Sequence, residues 1–245
     1  MLKKILLLSM LFSSMVYAKT INIAVSANVS YAIEDLKKEF HKLYPDIKVR
    51  VTLGGSGKLT AQIKHGASYG LFMSANMKYP QALYEDGIAI TKPLVYAQGG
   101  LAYFSRKELD FSKGIKLLDS KNIKKIAIAN PKTAPYGKAT VEALKNADIY
   151  YKVKKKFVYS ESISGTISYA LVATDIGIVA KSSLFSKKMS KYKYDVNWKE
   201  LNPTLYTPIK QGIVLLKDND DLKKFYNFIF SSKAKQIFKQ YGYLI

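Results

Sequence analysis

A repeated unit most constrains the fold of this chain: a short apolar strand leads through a polar or glycine-containing loop into an amphipathic helix. Residues 21–25 alternate like a strand, and the helix that follows has an apolar face formed by Ala32, Ile33, Leu36, Phe40 and Leu43. A second unit runs from a strand at 47–53 through the glycines of 54–57 into a helix at 58–65. Repetition of this unit predicts an α/β fold with a mostly parallel sheet covered by helices.

The middle and end of the chain repeat the pattern. We expect further strands at 123–129, 156–159, 175–180 and 209–216. No repeat period or low-complexity linker divides the sequence, so we expect two α/β lobes joined by crossing strands near 96–102 and 206–212. Ligands in open α/β sheets bind where strands end and helices begin, which predicts a ligand cleft between the lobes.

We therefore expect four segments along the chain. Residues 1–18 form a leader, residues 19–98 the first part of lobe 1, residues 99–207 lobe 2, and residues 208–245 a return segment that completes lobe 1. Each lobe has enough residues for a hydrophobic core of its own.

The leader has the layout of a cleaved secretory signal peptide. Lys3 and Lys4 precede an apolar run at 5–16, and Val16-Tyr17-Ala18 offers the small residues that a signal peptidase accepts. The alternative is a membrane anchor, but the apolar run is short for a bilayer and contains three serines. We therefore expect export to the periplasm with Lys19 as the first residue of the mature protein.

The charge is strongly positive, at +21, but it does not form a nucleic-acid motif. The lysines are spread along the chain, and Arg50 and Arg106 are its only arginines. This pattern is typical of a lysine-rich solvated surface rather than a nucleic-acid interface. We expect a monomer that does not bind nucleic acid. A secreted basic module that binds nucleic acid or a surface is the remote alternative.

Four loops that precede helices favour binding of a small anion. They cover residues 26–28, 55–57, 134–137 and 162–165, and each contains small or hydroxyl residues. The start of a helix has unpaired N–H groups and a partial positive charge, which suits an oxyanion. One such loop is usually an ordinary helix cap, but four in a two-lobed chain indicate a shared site.

Enzymatic and metal-ion chemistry have little support. The segment Gly54-Gly55-Ser56-Gly57-Lys58 lacks the spacing of a nucleotide P-loop and of a hydrolase nucleophile elbow. The chain has two histidines and no cysteine, so neither a catalytic constellation nor a site for a free metal cation is evident. We expect a protein that is not an enzyme and needs no cofactor.

Longer segments carry a family resemblance. They are 55–59 with 62–63, 66–76, 126–131, 134–137, 175–179 and 234–243. Through these segments the chain resembles the periplasmic molybdate-binding proteins of ABC importers, over essentially all of 19–245. The resemblance implies the two-lobed type II solute-binding fold, with molybdate or tungstate as the ligand and an inner-membrane ABC permease as the partner. Another tetrahedral oxyanion, such as sulfate or phosphate, remains the alternative ligand.

The resemblance also implies the residues of the site. The ligand-binding positions are the side chains of Asn28 and Ser56 and the backbone amides of Tyr136 and Ile163, with Ala27, Gly57 and Ser164 in supporting loops. A tyrosine that the family often places after its Gly-Ile-Val strand falls on Ala180, so one side-chain donor is missing. The Asn28 amide or the Tyr136 hydroxyl is expected to replace it.

Overall fold

Two five-stranded sheets organise residues 19–245, the part of the chain that the computed structural model describes. The predicted signal peptide, residues 1–18, lies outside the described residues. The first sheet contains β1 (Lys19–Ser26), β2 (Ile47–Gly54), β3 (Leu71–Met73), β4 (Leu94–Gly99) and β10 (Ile209–Leu215). The second contains β5 (Leu101–Phe104), β6 (Ile126–Ala129), β7 (Phe157–Ser160), β8 (Ile176–Ala180) and β9 (Trp198–Glu200). Each sheet is the centre of one lobe.

Helices follow the strands of both sheets. Lobe 1 has α1 (Ile33–Leu43), α2 (Ser56–Lys64), α3 (Lys78–Glu85), α7 (Asp220–Ile229) and α8 (Ser232–Gln240), and lobe 2 has α4 (Pro135–Asn146), α5 (Tyr150–Val153) and α6 (Ile163–Val172). Apolar side chains bury both faces of each sheet. The predicted two-lobed α/β class is confirmed. No helix in residues 19–245 combines the length and the apolar character needed to cross a membrane.

The sheets are mixed, so the prediction of mostly parallel sheets is wrong. The strand order is β2-β1-β3-β10-β4 in lobe 1 and β7-β6-β8-β5-β9 in lobe 2. In each sheet the first three strands pair in parallel, and the remaining pairings are antiparallel. The antiparallel strands include β4, β5 and β10, which border the crossings between the lobes. A strand next to a crossing enters its sheet from the other lobe, so it need not run parallel to its neighbours.

The chain passes between the two sheets twice. Only Gly100 separates β4 of the first sheet from β5 of the second, and the other crossing runs from the end of β9 to the start of β10. The two are tied together because the Leu101 amide donates to the Tyr206 hydroxyl at 3.0 Å. Near the chain terminus, Leu244 exchanges two backbone hydrogen bonds with Gln98, at 2.8 and 2.9 Å. The end of the chain therefore supports the crossing region.

Two local expectations need correction. Leu43 was expected on the buried face of α1 but is 61% exposed, because it is the last residue of the helix and Tyr44 packs on Phe40 instead, with the rings 4.9 Å apart. Helix α2 begins at Ser56 rather than at 58, which makes Ser56 its first residue. This earlier start decides where the Ser56 side chain lies.

Candidate functional site

Strand ends and helix starts of both lobes surround one small cleft. It is lined by Ser26, Ala27, Asn28, Gly54, Gly55, Ser56, Ala75, Ala134, Pro135, Tyr136 and Ile163. All of these residues are uncharged. The centre of a water molecule can occupy about 10 Å³ there, so the cleft is too small for a sugar or a peptide.

A pair of serine hydroxyls forms one wall of the cleft. Ser26 ends β1, Ser56 begins α2, and their Oγ atoms are 2.5 Å apart. Both oxygens accept a hydrogen bond from the Ala75 amide, at 3.0 Å each. One hydroxyl proton joins the two serines, so the other is free to donate to a ligand. Ser26 was not among the predicted site residues, although its place at the end of a strand before a helical turn is a signal that would have found it.

Asn28 lies in the cleft wall, in a short 3-10 turn at Ala27–Val29. Its Nδ2 donates to Gln211 Oε1 at 2.9 Å and to Tyr243 Oη at 3.1 Å. Its Oδ1 is buried and has no hydrogen-bond partner among the described residues. Its carbonyl oxygen accepts from the hydroxyls of Tyr243 and Ser182, at 2.8 and 3.1 Å. Asn28 therefore makes four hydrogen bonds, two through its side chain and two through its carbonyl oxygen, and one side-chain atom has no partner.

Lobe 2 contributes the starts of two helices. Helix α4 begins with Pro135 after Ala134, which offers no side-chain cap, and α6 begins at Ile163 after Ser162, whose Oγ accepts from the Gly165 amide. The first amides of a helix lack an acceptor within the helix and lie at its positive end. The backbone N–H groups of Tyr136 and Ile163, two residues of the cleft lining, therefore have no acceptor within their own helices.

The hydroxyl of Tyr136 contacts the buried side chain of Gln211. It accepts a hydrogen bond from Gln211 Nε2 at 3.2 Å, and its ring lies against Gly99, where an added Cβ would be 1.9 Å from the hydroxyl oxygen. Burial raises the pKa of Tyr136 and of Tyr96 well above the usual value, and that of Tyr243 to about 12. All three hydroxyls are thus neutral near pH 7. Because the Tyr136 hydroxyl accepts the bond from Gln211, its own proton is left to donate, so both substitutes expected for the donor missing at Ala180, Asn28 and Tyr136, stay predictions.

The supporting residues Gly57 and Ser164 lie near the cleft but outside its lining. The Gly57 amide donates to the Thr133 carbonyl of the other lobe at 3.0 Å, and an added Cβ would lie 2.7 Å from the Tyr79 hydroxyl oxygen and 3.0 Å from that carbonyl oxygen. Glycine at 57 therefore permits the lobes to approach. Ser164 shares a hydrogen bond of 3.1 Å with Ser162 at the start of α6.

One exposed ion pair joins the lobes beside these loops. Lys58 Nζ of α2 lies 2.8 Å from Glu161 Oε1, which precedes α6. Within residues 19–245 no group of three or more histidine, cysteine, aspartate or glutamate side chains is arranged to hold a metal ion. The cleft can therefore offer neutral hydrogen-bond donors, with one cation–carboxylate pair nearby.

Comparisons of sequence and of fold with known proteins identify the family of this chain. A family model described as bacterial extracellular solute-binding protein matches residues 21–244. The molybdate-binding protein ModA of Azotobacter vinelandii is 31% identical over 92% of this chain and 90% of its own length. ModA of Rhodobacter capsulatus is 32% identical over 80% of this chain and 77% of its own length. The structure of the A. vinelandii periplasmic molybdate-binding protein matches with a TM-score of 0.84 at 27% identity, covering 92% of this chain and 99% of that one.

These matches confirm the family that the sequence resembles. The family model spans nearly all of the described residues, and both relatives are named for a solute that they bind rather than for a reaction. The chain belongs to the bacterial extracellular solute-binding proteins, as a homologue of the ModA molybdate-binding proteins.

Proposed function

We propose that this protein captures molybdate, and also tungstate, in the periplasm and delivers it to the permease of an ABC importer. The observation that carries the proposal is the small cleft between the lobes, which is lined by uncharged residues at the starts of α2, α4 and α6. The homology to two ModA proteins supports molybdate as the ligand. The proposal keeps the lobe boundaries at 98/99 and 207/208 and treats the protein as a monomer without a cofactor.

The donor set suits a doubly charged oxyanion. One hydroxyl of the Ser26–Ser56 pair, the Asn28 amide and the backbone amides of Tyr136 and Ile163 are the proposed ligands. Hydrogen bonds to a charged acceptor are about twice as strong as bonds between neutral groups, and the helix starts add a partial positive charge. Such a site holds the anion without burying a full positive charge, which is itself costly.

Closure of the lobes completes the proposed site. Four contacts among the described residues join the lobes around the cleft: Gly57 to Thr133, Lys58 to Glu161, Gln211 to Tyr136, and the Asn28 carbonyl to Ser182. A bound anion would add bonds to both sides and so favour the closed form. In this proposal the permease recognises that closed form.

Calorimetric titration of residues 19–245 with molybdate, tungstate, sulfate and phosphate at one fixed salt concentration tests the proposal. We expect tight one-to-one binding of molybdate and tungstate, with no heat from sulfate or phosphate. Heat from sulfate or phosphate alone would mean that the ligand is another oxyanion. Silence towards all four would contradict an oxyanion-binding role.

A further inference from the structure

A buried glutamine links the two sides of the cleft. Gln211 lies on β10, next to the second crossing, and is 0% exposed. Its Oε1 accepts from Asn28 Nδ2 at 2.9 Å and from the Tyr96 hydroxyl at 2.7 Å. Its Nε2 donates to the Tyr136 hydroxyl at 3.2 Å. One side-chain amide therefore contacts a residue of the lobe 1 wall and a residue of the lobe 2 wall.

The sheet is irregular at this point. Gln211 pairs with Ala97, but the next residue, Gly212, pairs with Val95, so Tyr96 is an extra residue on β4. An extra residue in one strand re-aims the side chains beside it, and such bulges are common next to functional sites. Here the extra residue, Tyr96, donates a hydrogen bond to the Gln211 side chain. The bulge therefore helps to set the position of the Gln211 amide.

The atom that Asn28 leaves unpaired is the wrong one for an anion. Its Oδ1 is buried without a partner, and its Nδ2 is used by Gln211 and Tyr243. A molybdate or tungstate dianion offers only acceptor oxygens, so it can pair with Nδ2 and is repelled by Oδ1. A buried acceptor without a partner is also costly to the protein alone.

A joint rotation of the two amides removes the conflict. If the end groups of Asn28 and Gln211 both turn over, Gln211 Nε2 donates to Asn28 Oδ1 and to the Tyr96 hydroxyl. The Tyr136 hydroxyl then donates to Gln211 Oε1, since a neutral hydroxyl both donates and accepts. Gln211 keeps its three partners, and Asn28 Nδ2 takes the place where Oδ1 had none. In exchange, Asn28 loses the bond from Nδ2 to the Tyr243 hydroxyl, which continues to donate to the Asn28 carbonyl.

We propose that Gln211 is a positioning residue for the anion, which turns over together with Asn28 so that Asn28 Nδ2 donates to the bound oxyanion. Gln211 Nε2 then holds Asn28 Oδ1 and fixes the donor in place. This inference rests on the proposed oxyanion-binding function of the cleft. It assigns to Asn28 and Gln211 together the donor that is missing at Ala180.

The first test is nitrogen–proton NMR of the side-chain amides of residues 19–245, with and without molybdate. The signals of Asn28 and Gln211 are assigned from the spectra of Asn28→Ala and Gln211→Met. We expect both pairs of NH₂ signals to move together when molybdate binds. A wild-type protein that binds molybdate while the Gln211 signals stay in place would overturn the proposal.

A double-mutant cycle separates positioning from a merely structural role. Gln211→Met keeps the length of the side chain and removes its amide, and we expect molybdate to bind about tenfold more weakly, the size of one hydrogen bond. In the Asn28→Ala background the same change should have no further effect, because Gln211 acts through Asn28. Equal losses in both backgrounds would overturn the proposal.

Tyr206→Phe is the matched control at the same crossing. It removes the hydrogen bond to the Leu101 amide but no contact of Gln211, so we expect affinity within about twofold of wild type. An equally large loss in this variant would show that any disturbance of the crossing weakens binding, and would overturn the specific role of Gln211. If the wild-type protein binds neither molybdate nor tungstate, the proposed function itself fails. If the wild-type protein binds molybdate and the Gln211 variant binds it equally well, only the role of Gln211 fails.

Discussion

The two sides of the proposed site differ in the kind of donor that they would supply to an anion. Lobe 1 offers side chains, namely the hydroxyls of Ser26 and Ser56 and the amide of Asn28. Lobe 2 offers the backbone amides of Tyr136 and Ile163. Side-chain donors are specified by residue type and can be deleted one at a time, whereas backbone donors depend on where a helix begins. The lobe 1 side should therefore respond to local substitutions and the lobe 2 side to changes in helix position.

The interactions that hold the two sides of the cleft in place also differ: side-chain hydrogen bonds dominate in lobe 1 and backbone packing in lobe 2. The lobe 1 donors are held by hydrogen bonds: Ala75 donates to both serines, and Asn28 donates to Gln211 and Tyr243. The start of α4 is set by packing instead, since an added Cβ at Gly137 would lie 2.2 Å from the Ala129 carbonyl oxygen at the end of β6. A polar network can rearrange when a ligand binds, whereas a close backbone contact cannot.

The largest effect should come from moving the lobe 2 side. In Gly137→Ala the new methyl group meets the backbone of Ala129, so the start of α4 must shift and the Tyr136 amide with it. Loss of one hydrogen bond to a charged ligand costs about 1.5–3 kcal/mol, so we expect molybdate to bind about 100-fold more weakly by calorimetry. Lys138→Ala, on the exposed face of the same helix, should bind like wild type. Wild-type affinity in Gly137→Ala would show that the position of α4 does not matter.

Deleting hydroxyls on the lobe 1 side should have the next largest effects. Ser56→Ala removes a donor at the start of α2, and we expect binding weaker by about 1–3 kcal/mol. Ser26→Ala should cost less, about 1 kcal/mol, because Ser56 then has its proton free for the anion and still accepts from Ala75. The two losses should not add, since the hydroxyls share one hydrogen bond. Strict additivity in calorimetry of the double variant would contradict the shared arrangement.

The ion pair between the lobes should contribute less than either side of the cleft. Lys58→Ala leaves Glu161 unpaired beside the loops that line the site, and we expect molybdate binding to weaken by less than about fivefold at low salt. The difference should shrink as salt is raised, because exposed charges are screened. Lys64→Ala is the matched control, since Lys64 lies at the other end of α2 and pairs with Asp86. An equal loss in both variants would indicate a general effect of positive charge.

Changes of pH near neutrality should have the smallest effect. Burial raises the pKa values of Tyr96, Tyr136 and Tyr243, so these groups stay neutral from pH 6 to pH 9, and none of the cleft-lining residues is an acid, a lysine or a histidine. Affinity should therefore be constant over that range. Above about pH 10 the unfolded chain releases tyrosine protons before the folded chain does, so thermal stability should fall as pH rises further. A change in affinity between pH 6 and 9 would point to a titrating group at the site.

Much of the fold follows from local sequence patterns. Apolar residues alternate along β1 and recur at helical spacing in α1, and both periods are properties of short segments. The loops before α2, α4 and α6 are recognisable because small and hydroxyl residues interrupt these periods. The periodic pattern places Leu43 on the buried face, but it does not show that the helix ends at this residue and leaves it exposed.

Sequence alone determined the strand–loop–helix units and the two lobes, since each depends on neighbouring residues, and the binding of an anion at the loops stays a prediction. Tertiary structure decided that the sheets are mixed, that Ser26 joins Ser56, and that Gln211 links Asn28 to Tyr136. These contacts connect residues 30, 183 and 75 positions apart, and no local period specifies such pairs. A buried polar group must find a partner wherever the packed chain provides one, so such partners are evident only once the chain is folded.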